Sequence, residues 1–212
     1  VTGDELTFHD RREPEQVYVI EQARQGTRQV EVTLWNDIFL ATQIEHPLLA
    51  SITAAMGVPK ARLVYLAKDN YRPIDPRYAK PAEEVSLADG YPYLITNTAS
   101  LKDLSDKIGE ELAMSRFRPN IVVETQQAWC EDDWKQLQIG AHNFRIPKPC
   151  ARCRVVTINQ ENGEQRIELL GKIAHHRKFG PKILFGMNAI WEGTEPASIS
   201  VGDSVTSIIK LS

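Results

Sequence analysis

Two cysteines three apart, Cys150 and Cys153, and two arginines one residue apart, Arg116 and Arg118, carry the least ordinary chemistry of this 212-residue sequence. The cysteines stand in a basic run with Lys148, Arg152 and Arg154. Neighbouring cations favour thiolate over thiol, and a thiolate is a ligand for soft or high-valent metals. Other readings of Cys-Ala-Arg-Cys stand beside that one. A structural zinc half-site needs two more ligands, for which only Cys130, His142, His175 and His176 are at hand. A thioredoxin-like redox pair needs a βαβ setting that strand-rich flanks do not offer. Two ordinary buried cysteines are the plainest alternative.

The run Arg116-Phe-Arg118-Pro-Asn120 offers the opposite charge. Alternation sends Arg116 and Arg118 to one face, and Pro119 fixes the backbone after them. A guanidinium so held suits bidentate capture of phosphate, each charge-assisted hydrogen bond contributing about 1.5–3 kcal/mol. An anionic cofactor is its natural ligand; a solvated basic helix end is the plainer reading. The pair His175-His176, among Lys172, Arg177, Lys178 and Lys182, reads as a basic loop, either a solvated face or a landing surface for an acidic redox partner. Walker, Rossmann-glycine, HExxH and GxSxG patterns are absent, so the chemistries they serve lose their usual support.

The elements that position these residues read as mostly strands. Short alternating runs at residues 5–8, 17–20, 29–34 and 38–41 predict antiparallel strands, and the chain opens at Val1 with a strand and turn. Pro47 through Met56, stopped by Gly57, predicts a helix, and residues 62–66 return to strand. Residues 67–85 hold charges and prolines with little periodicity, the pattern of a linker or long loop. A strand at 93–95 leads to a helix opened by a Ser100/Asp103 capping box, with Leu101, Leu104, Ile108 and Leu112 on one side, running straight into Arg116. Strands at 121–123, 137–139 and 144–146, the last two around Gly140, lead to Cys150. Strands at 155–158 and 166–169 flank Asn162-Gly163, and two closing strands at 183–193 and 198–211 meet through a Gly-Asp turn. The fold class is therefore strand-rich α+β with a barrel-like core.

Composition narrows the rest. A net charge of −3 and 42% hydrophobic residues describe an ordinary globular chain, with neither a nucleic-acid polymer nor a membrane as implied partner. No apolar run approaches the roughly 20 residues that span a bilayer. Three cysteines make no disulfide framework and suit a reducing compartment, for which a bacterial cytoplasm is the expectation.

Taken together, RFRPNIVVE, the W.EDDWK.L.IG segment, KPCARCR with its following TIN..NGE turn, LFGMN and a terminal VGD resemble the MOSC domain. This module is shared by the C-terminus of molybdenum cofactor sulfurase and the mitochondrial amidoxime-reducing component. The resemblance implies a MOSC domain at 86–212 with a β-barrel core, and the later part of an N-terminal MOSC-associated barrel at 1–66, whose opening portion is missing. It implies the molybdenum cofactor, a molybdenum ion held by a phosphorylated pterin and one protein cysteine. Cys153 matches the ligand and is thereby the catalytic and metal-binding residue. Arg118 and Asn120 match residues that hold the pterin, and Ala151 and Arg152 precede the ligand where relatives carry Ser-Arg. Asn188 falls near an aromatic position of the animal enzymes. At family level the resemblance also carries pyridoxal phosphate binding as a description.

The implied activity is reduction of N-hydroxylated compounds such as amidoximes, hydroxylamines and N-hydroxylated bases. Electrons then come from a separate ferredoxin- or cytochrome-type protein, or from a missing C-terminal ferredoxin domain. The alternative makes Cys153 a persulfide acceptor, in a domain that carries sulfur for cofactor maturation or only binds the cofactor.

Overall fold

The computed structural model describes residues 5–10, 12–21, 23, 25–81 and 83–209, and the expected turn at residues 1–4 lies outside them. The chain divides into two compact units, Val1–Gly90 and Tyr91–Ser212.

In the first unit, β1 (Leu6–His9) and β2 (Val17–Ile20) pair antiparallel. A second antiparallel sheet joins β3 (Gln29–Leu34), β4 (Asp37–Gln43) and, beyond helix α1 (Leu49–Ala55), β5 (Val64–Tyr65). Side chains of β3 alternate between exposed and half-buried, the period-2 pattern of a sheet with one wet face. Helix α1 starts after Pro47 and ends at Gly57, whose φ of 73° only a residue without Cβ adopts freely. Ile20, Ala23, Ile44 and Ile52 form the core. The described residues of 67–90 form a long loop closed by a Pro73–Glu84 bridge. Arg72, 1% exposed, anchors it. Its fork donates to the Asp37 carboxylate and to the carbonyls of Ser86, Ala88 and Asp89, an arrangement that uses the multiple donors of a guanidinium.

The second unit holds β6 (Tyr93–Asn97), α2 (Thr98–Ile108), β7 (Ile121–Val123), β8 (Trp134–Ile139), β9 (His142–Ala151), α3 (Glu168–Arg177), β10 (Lys178–Phe179), β11 (Lys182–Trp191) and β12 (Val205–Ile209). Its sheet runs β12-β8-β9-β11-β6-β7, with β10 hairpinned onto β11. It curls into the half-barrel of a MOSC-type, strand-rich α+β fold. Among the described residues only β6 and β7 pair in parallel, as their α2 crossover requires. Ile95, Leu137, Phe144, Met187 and Ala189 fill one core, and Leu104, Phe117, Val156, Leu169, Ile173 and Phe185 another.

Several elements differ from the sequence expectation, each for a physical reason. Helix α2 is capped by Asn97, not by a Ser100/Asp103 box: Asn97 Oδ1 accepts the Ala99 N–H at 3.0 Å. Ser100 is buried inside the helix and donates to the Glu131 carboxylate at 2.8 Å. The helix ends at left-handed Gly109, so Leu112 lies beyond it and Arg116 is not at its terminus. Residues Arg154–Thr157 form a 3-10 turn instead of a strand. Helix α3 (Glu168–Arg177) takes the place of most of the expected strand at 166–169 and of the first part of the basic loop, whose Lys178 and Lys182 fall on the β10–β11 hairpin. Leu169, Ile173 and Arg177 recur at four-residue spacing and are its buried residues, while Gly171 and the basic composition hid that period.

Candidate functional site

The loop after α2 contains a 3-10 turn at Met114–Phe117, and this turn overrides the alternation expected of Arg116 and Arg118. Arg116 is half-buried and reaches the Thr157 carbonyl at 3.4 Å. Arg118 caps the turn in the left-handed region at φ 52°, ψ 50°, directly before Pro119. That conformation costs about 1–3 kcal/mol for a residue with a Cβ and persists only where its surroundings enforce it. Phe117, fully buried and stacked on Phe185 at 3.9 Å, is one such constraint. Arg118 is exposed, and its guanidinium has no hydrogen-bond or ion-pair partner among the described residues.

Asn120 docks on β6 like an extra strand residue. Its N–H donates to Leu94 O at 3.0 Å, and its Oδ1 accepts the Leu94 N–H at 2.8 Å. Leu94 pairs with Asn188 on β11, and Asn188 with Lys148 on β9. Asn120, Leu94, Asn188 and Lys148 therefore form one row across the sheet. Asn188 Nδ2 donates to the Pro149 carbonyl at 3.2 Å, and Lys148 Nζ lies over the Tyr91 ring at 4.8 Å. The row depends on Gly186. At φ 76° it sits in the bulge where the β11–β9 register shifts, and a Cβ there would lie 2.8 Å from Ile95 O.

Strand β9 ends on Ala151, and Cys153 opens the 3-10 turn that follows. All three cysteines are free; Cys150 and Cys130 are half-buried, whereas Cys153 is exposed. The Arg152 guanidinium ties this end of β9 to the Arg118 loop. Nη2 donates to the Phe117 carbonyl at 2.8 Å and Nη1 to Cys150 Sγ at 3.0 Å. Its charge thus faces Cys150, the first cysteine of the pair. The third donor, Nε–H, is buried and has no acceptor among the described residues.

The structure therefore brings Arg118 and Cys153 to neighbouring segments, each one residue from an end of the Arg152 bridge, and it aligns Asn120 with Asn188 in the adjoining sheet row. Two cavities, of about 670 and 360 Å³, lie elsewhere in this unit, along α2 and beside Cys130. Glu131 and Asp132 serve structure. Glu131 accepts from Asn97 and Ser100, and Asp132 accepts twice from Arg177 Nη2, whose guanidinium also lies 3.8 Å over Trp129. Sequence reasoning missed the Phe117 carbonyl as an anchor, which only three-dimensional contact reveals, and Gly186, for which an isolated glycine in an apolar strand was the signal.

Chemically, the donor set is one exposed thiol, a free guanidinium and an orphaned buried N–H. It fits a group that combines a metal accepting a thiolate with phosphate or carbonyl oxygens accepting hydrogen bonds.

The fold and these residues define a strand-rich α+β domain with a thiol-and-guanidinium site. The MOSC domain family matches residues 82–206, more than half of the chain, and the chain belongs to that family. It is 33% identical over 150 residues to the molybdenum cofactor sulfurase of Bombyx mori, covering 68% of this chain and 18% of that protein. It is 30% identical over 167 residues to mitochondrial amidoxime-reducing component 1 of Homo sapiens, covering 73% of this chain and 49% of that protein. The molybdenum cofactor sulfurase of Anopheles gambiae is 31% identical over 171 residues, covering 75% and 21%. The chain thus spans about half or less of the length of these relatives. No helix among the described residues is long and apolar enough to cross a membrane.

Proposed function

We propose that this chain binds the molybdenum cofactor through Cys153 and reduces N-hydroxylated compounds, amidoximes among them. The observation that carries this reading is the exposed, unpartnered Cys153 thiol one residue from Arg152, whose buried Nε–H lacks an acceptor among the described residues. Both kinds of relative support its molybdenum-cofactor part, and the amidoxime-reducing component its substrate class. Residues 1–66 are read as the later part of an N-terminal barrel domain and 86–212 as the MOSC domain, with 67–85 connecting them.

Bound at Cys153, molybdenum would supply two-electron chemistry toward an N–OH bond, and the substrate gains two electrons and two protons to give an N–H product and water. The chain's own residues hold and orient. Arg118, with no carboxylate to neutralise it, binds a phosphate or pterin oxygen. Arg152 offers Nε–H from a guanidinium already fixed at two other points, so little freedom is lost on binding. Asn120 keeps Nδ2 for the cofactor because Oδ1 is committed to Leu94. Ala151 has only backbone to offer, having no hydroxyl. Asn188 contributes position through its bond to Pro149.

The test is molybdenum content and benzamidoxime reduction with reduced methyl viologen, comparing the native protein with Cys153→Ser. About one molybdenum per chain, lost in the variant, is expected; metal retained by the variant overturns the ligand assignment. A second reading, sulfur transfer for cofactor maturation, is favoured by the same exposed thiol and by the sulfurase relatives. It predicts a sulfane sulfur adduct at Cys153 by mass spectrometry and no bound molybdenum.

A further inference from the structure

Beside Cys153 lies a short hairpin that this reading does not use. The Arg152 N–H donates to Ile183 O at 2.7 Å, and Ala151 pairs with Leu184. Lys182 pairs with Phe179 of β10. Residues directly opposite in an antiparallel pair share a face of the sheet. Phe179 and Lys182 accordingly share one face, Cys153 follows directly after the Arg152–Ile183 bond where β9 ends, and all three are exposed, Phe179 by 51%. The tip is a two-residue turn, Gly180-Pro181, with Gly180 at φ 56°, and the Arg177 guanidinium lies 5.0 Å over the Phe179 ring. This hairpin is short and held.

Its charge is not compensated. Lys178, Lys182 and Arg154 are exposed, and none forms an ion pair or side-chain hydrogen bond among the described residues. The other cations of the basic run are spent: Arg177 on Asp132 and Lys172 on Glu110. Phe179 and Lys182 share one face of the hairpin and alternation puts Lys178 on the other, so the hairpin is cationic on both sides; with its exposed aromatic, on a chain of net charge −3, it suits a transient partner of opposite sign. Three cations on one hairpin and turn are few for a nucleic acid, whose affinity comes from neutralising many phosphates.

We propose that the β10–β11 hairpin is the docking surface for an acidic one-electron carrier protein, seated beside Cys153. The proposal rests on the oxidoreductase reading, which needs two electrons for each N–OH bond reduced, delivered here in two one-electron steps, with two protons from solvent.

The test uses the molybdenum-loaded protein and a charge-reversed variant, Lys178→Glu with Lys182→Glu. Benzamidoxime reduction is driven either by a reduced acidic plant-type ferredoxin or by reduced methyl viologen. Calorimetry at low ionic strength measures ferredoxin binding separately. In the variant, ferredoxin-driven kcat/KM and ferredoxin affinity fall by about tenfold or more, their salt dependence flattens, and viologen-driven turnover and molybdenum content stay unchanged. Unchanged ferredoxin binding and turnover overturn the surface, as does an equal fall by both electron routes. If methyl viologen drives no turnover in the native protein, the oxidoreductase reading fails by itself. Calorimetry then decides the surface alone: binding lost on charge reversal supports it, and no binding by the native protein overturns it.

Discussion

The Arg152 guanidinium donates to the carbonyl oxygen of Phe117 at 2.8 Å, joining the end of β9 to the turn that presents Arg118. The buried Phe117 ring, stacked on Phe185, fixes that carbonyl from the other side. Removing the guanidinium leaves the carbonyl without its charged donor. Arg152→Ala is therefore expected to lose about 1.5–3 kcal/mol in urea unfolding, the range for hydrogen bonds to charged groups. Arg152→Lys recovers only part, because an ammonium cannot span the Phe117 oxygen and Cys150 sulfur as a planar fork does. Arg154→Ala, exposed and without partners, should stay within about 0.5 kcal/mol. Equal losses for Arg152→Ala and Arg154→Ala would show that the bridge does not hold these segments.

Cys153 presents the reverse case, a residue whose value to the fold is small. It is exposed, free, and its thiol makes no hydrogen bond among the described residues. Cys153→Ser is expected to unfold within about 0.5 kcal/mol of the native protein while molybdenum, measured by elemental analysis, drops to background. Cys150→Ser is the control. Its sulfur accepts from Arg152 at 3.0 Å, so a modest stability loss with metal retained is the expected pattern.

Much of this arrangement could be read before any coordinates. Period-2 runs located most strands, and Gly140 correctly placed the β8–β9 hairpin, in which Ile139 pairs with His142. Glycine and proline stopped α1 where expected. Errors came where a side chain chose a distant partner over a local one. Ser100 looked like a cap, but a buried Glu131 needed its hydroxyl, and Asn97 could do the capping instead. Arg177 looked like one more surface cation in a basic run, yet it is 6% exposed and clamps Asp132 and the Leu184 carbonyl. Local propensity carries no signal for such pairings, because each is decided 30 or more residues away or across a sheet. The left-handed Arg118 is of the same kind, since nothing in Arg-Phe-Arg-Pro announces a positive φ.

Gly186 tests whether the β11 bulge is required. Its φ of 76° is strained for any residue with a Cβ, and the added carbon would meet Ile95 O at 2.8 Å and Thr96 Cγ2 at 2.9 Å. Backbone strain of about 1–3 kcal/mol and a comparable overpacking term put Gly186→Ala at roughly 2–5 kcal/mol. A melting temperature unchanged from the native protein would mean that the bulge relaxes freely. The variant should also loosen the β11–β6 pairing, read as faster amide exchange at Ile95 and its partner Met187, since the Leu94 N–H is held by Asn120 on the other side.

Glu110 gives the fold an acid-sensitive joint. It follows the Gly109 cap of α2 and meets Arg166 at 3.0 Å and Lys172 of α3 at 3.5 Å. Burial pushes its pKa up, but hydrogen bonds and charge from Arg166, followed by Lys172, outweigh that, and the folded value lies below the ordinary 4.5. A depressed carboxylate stabilises the fold fully above its unfolded pKa and loses that contribution as pH falls through the folded value. The joint thus holds at neutral pH and weakens below about pH 4.5. Glu110→Gln, which cannot ionise, is expected to be less stable than the native protein at pH 7. The gap should close as the pH of urea unfolding is lowered from 5 toward 3. A gap that stays constant across that range would remove ionisation of Glu110 as its cause.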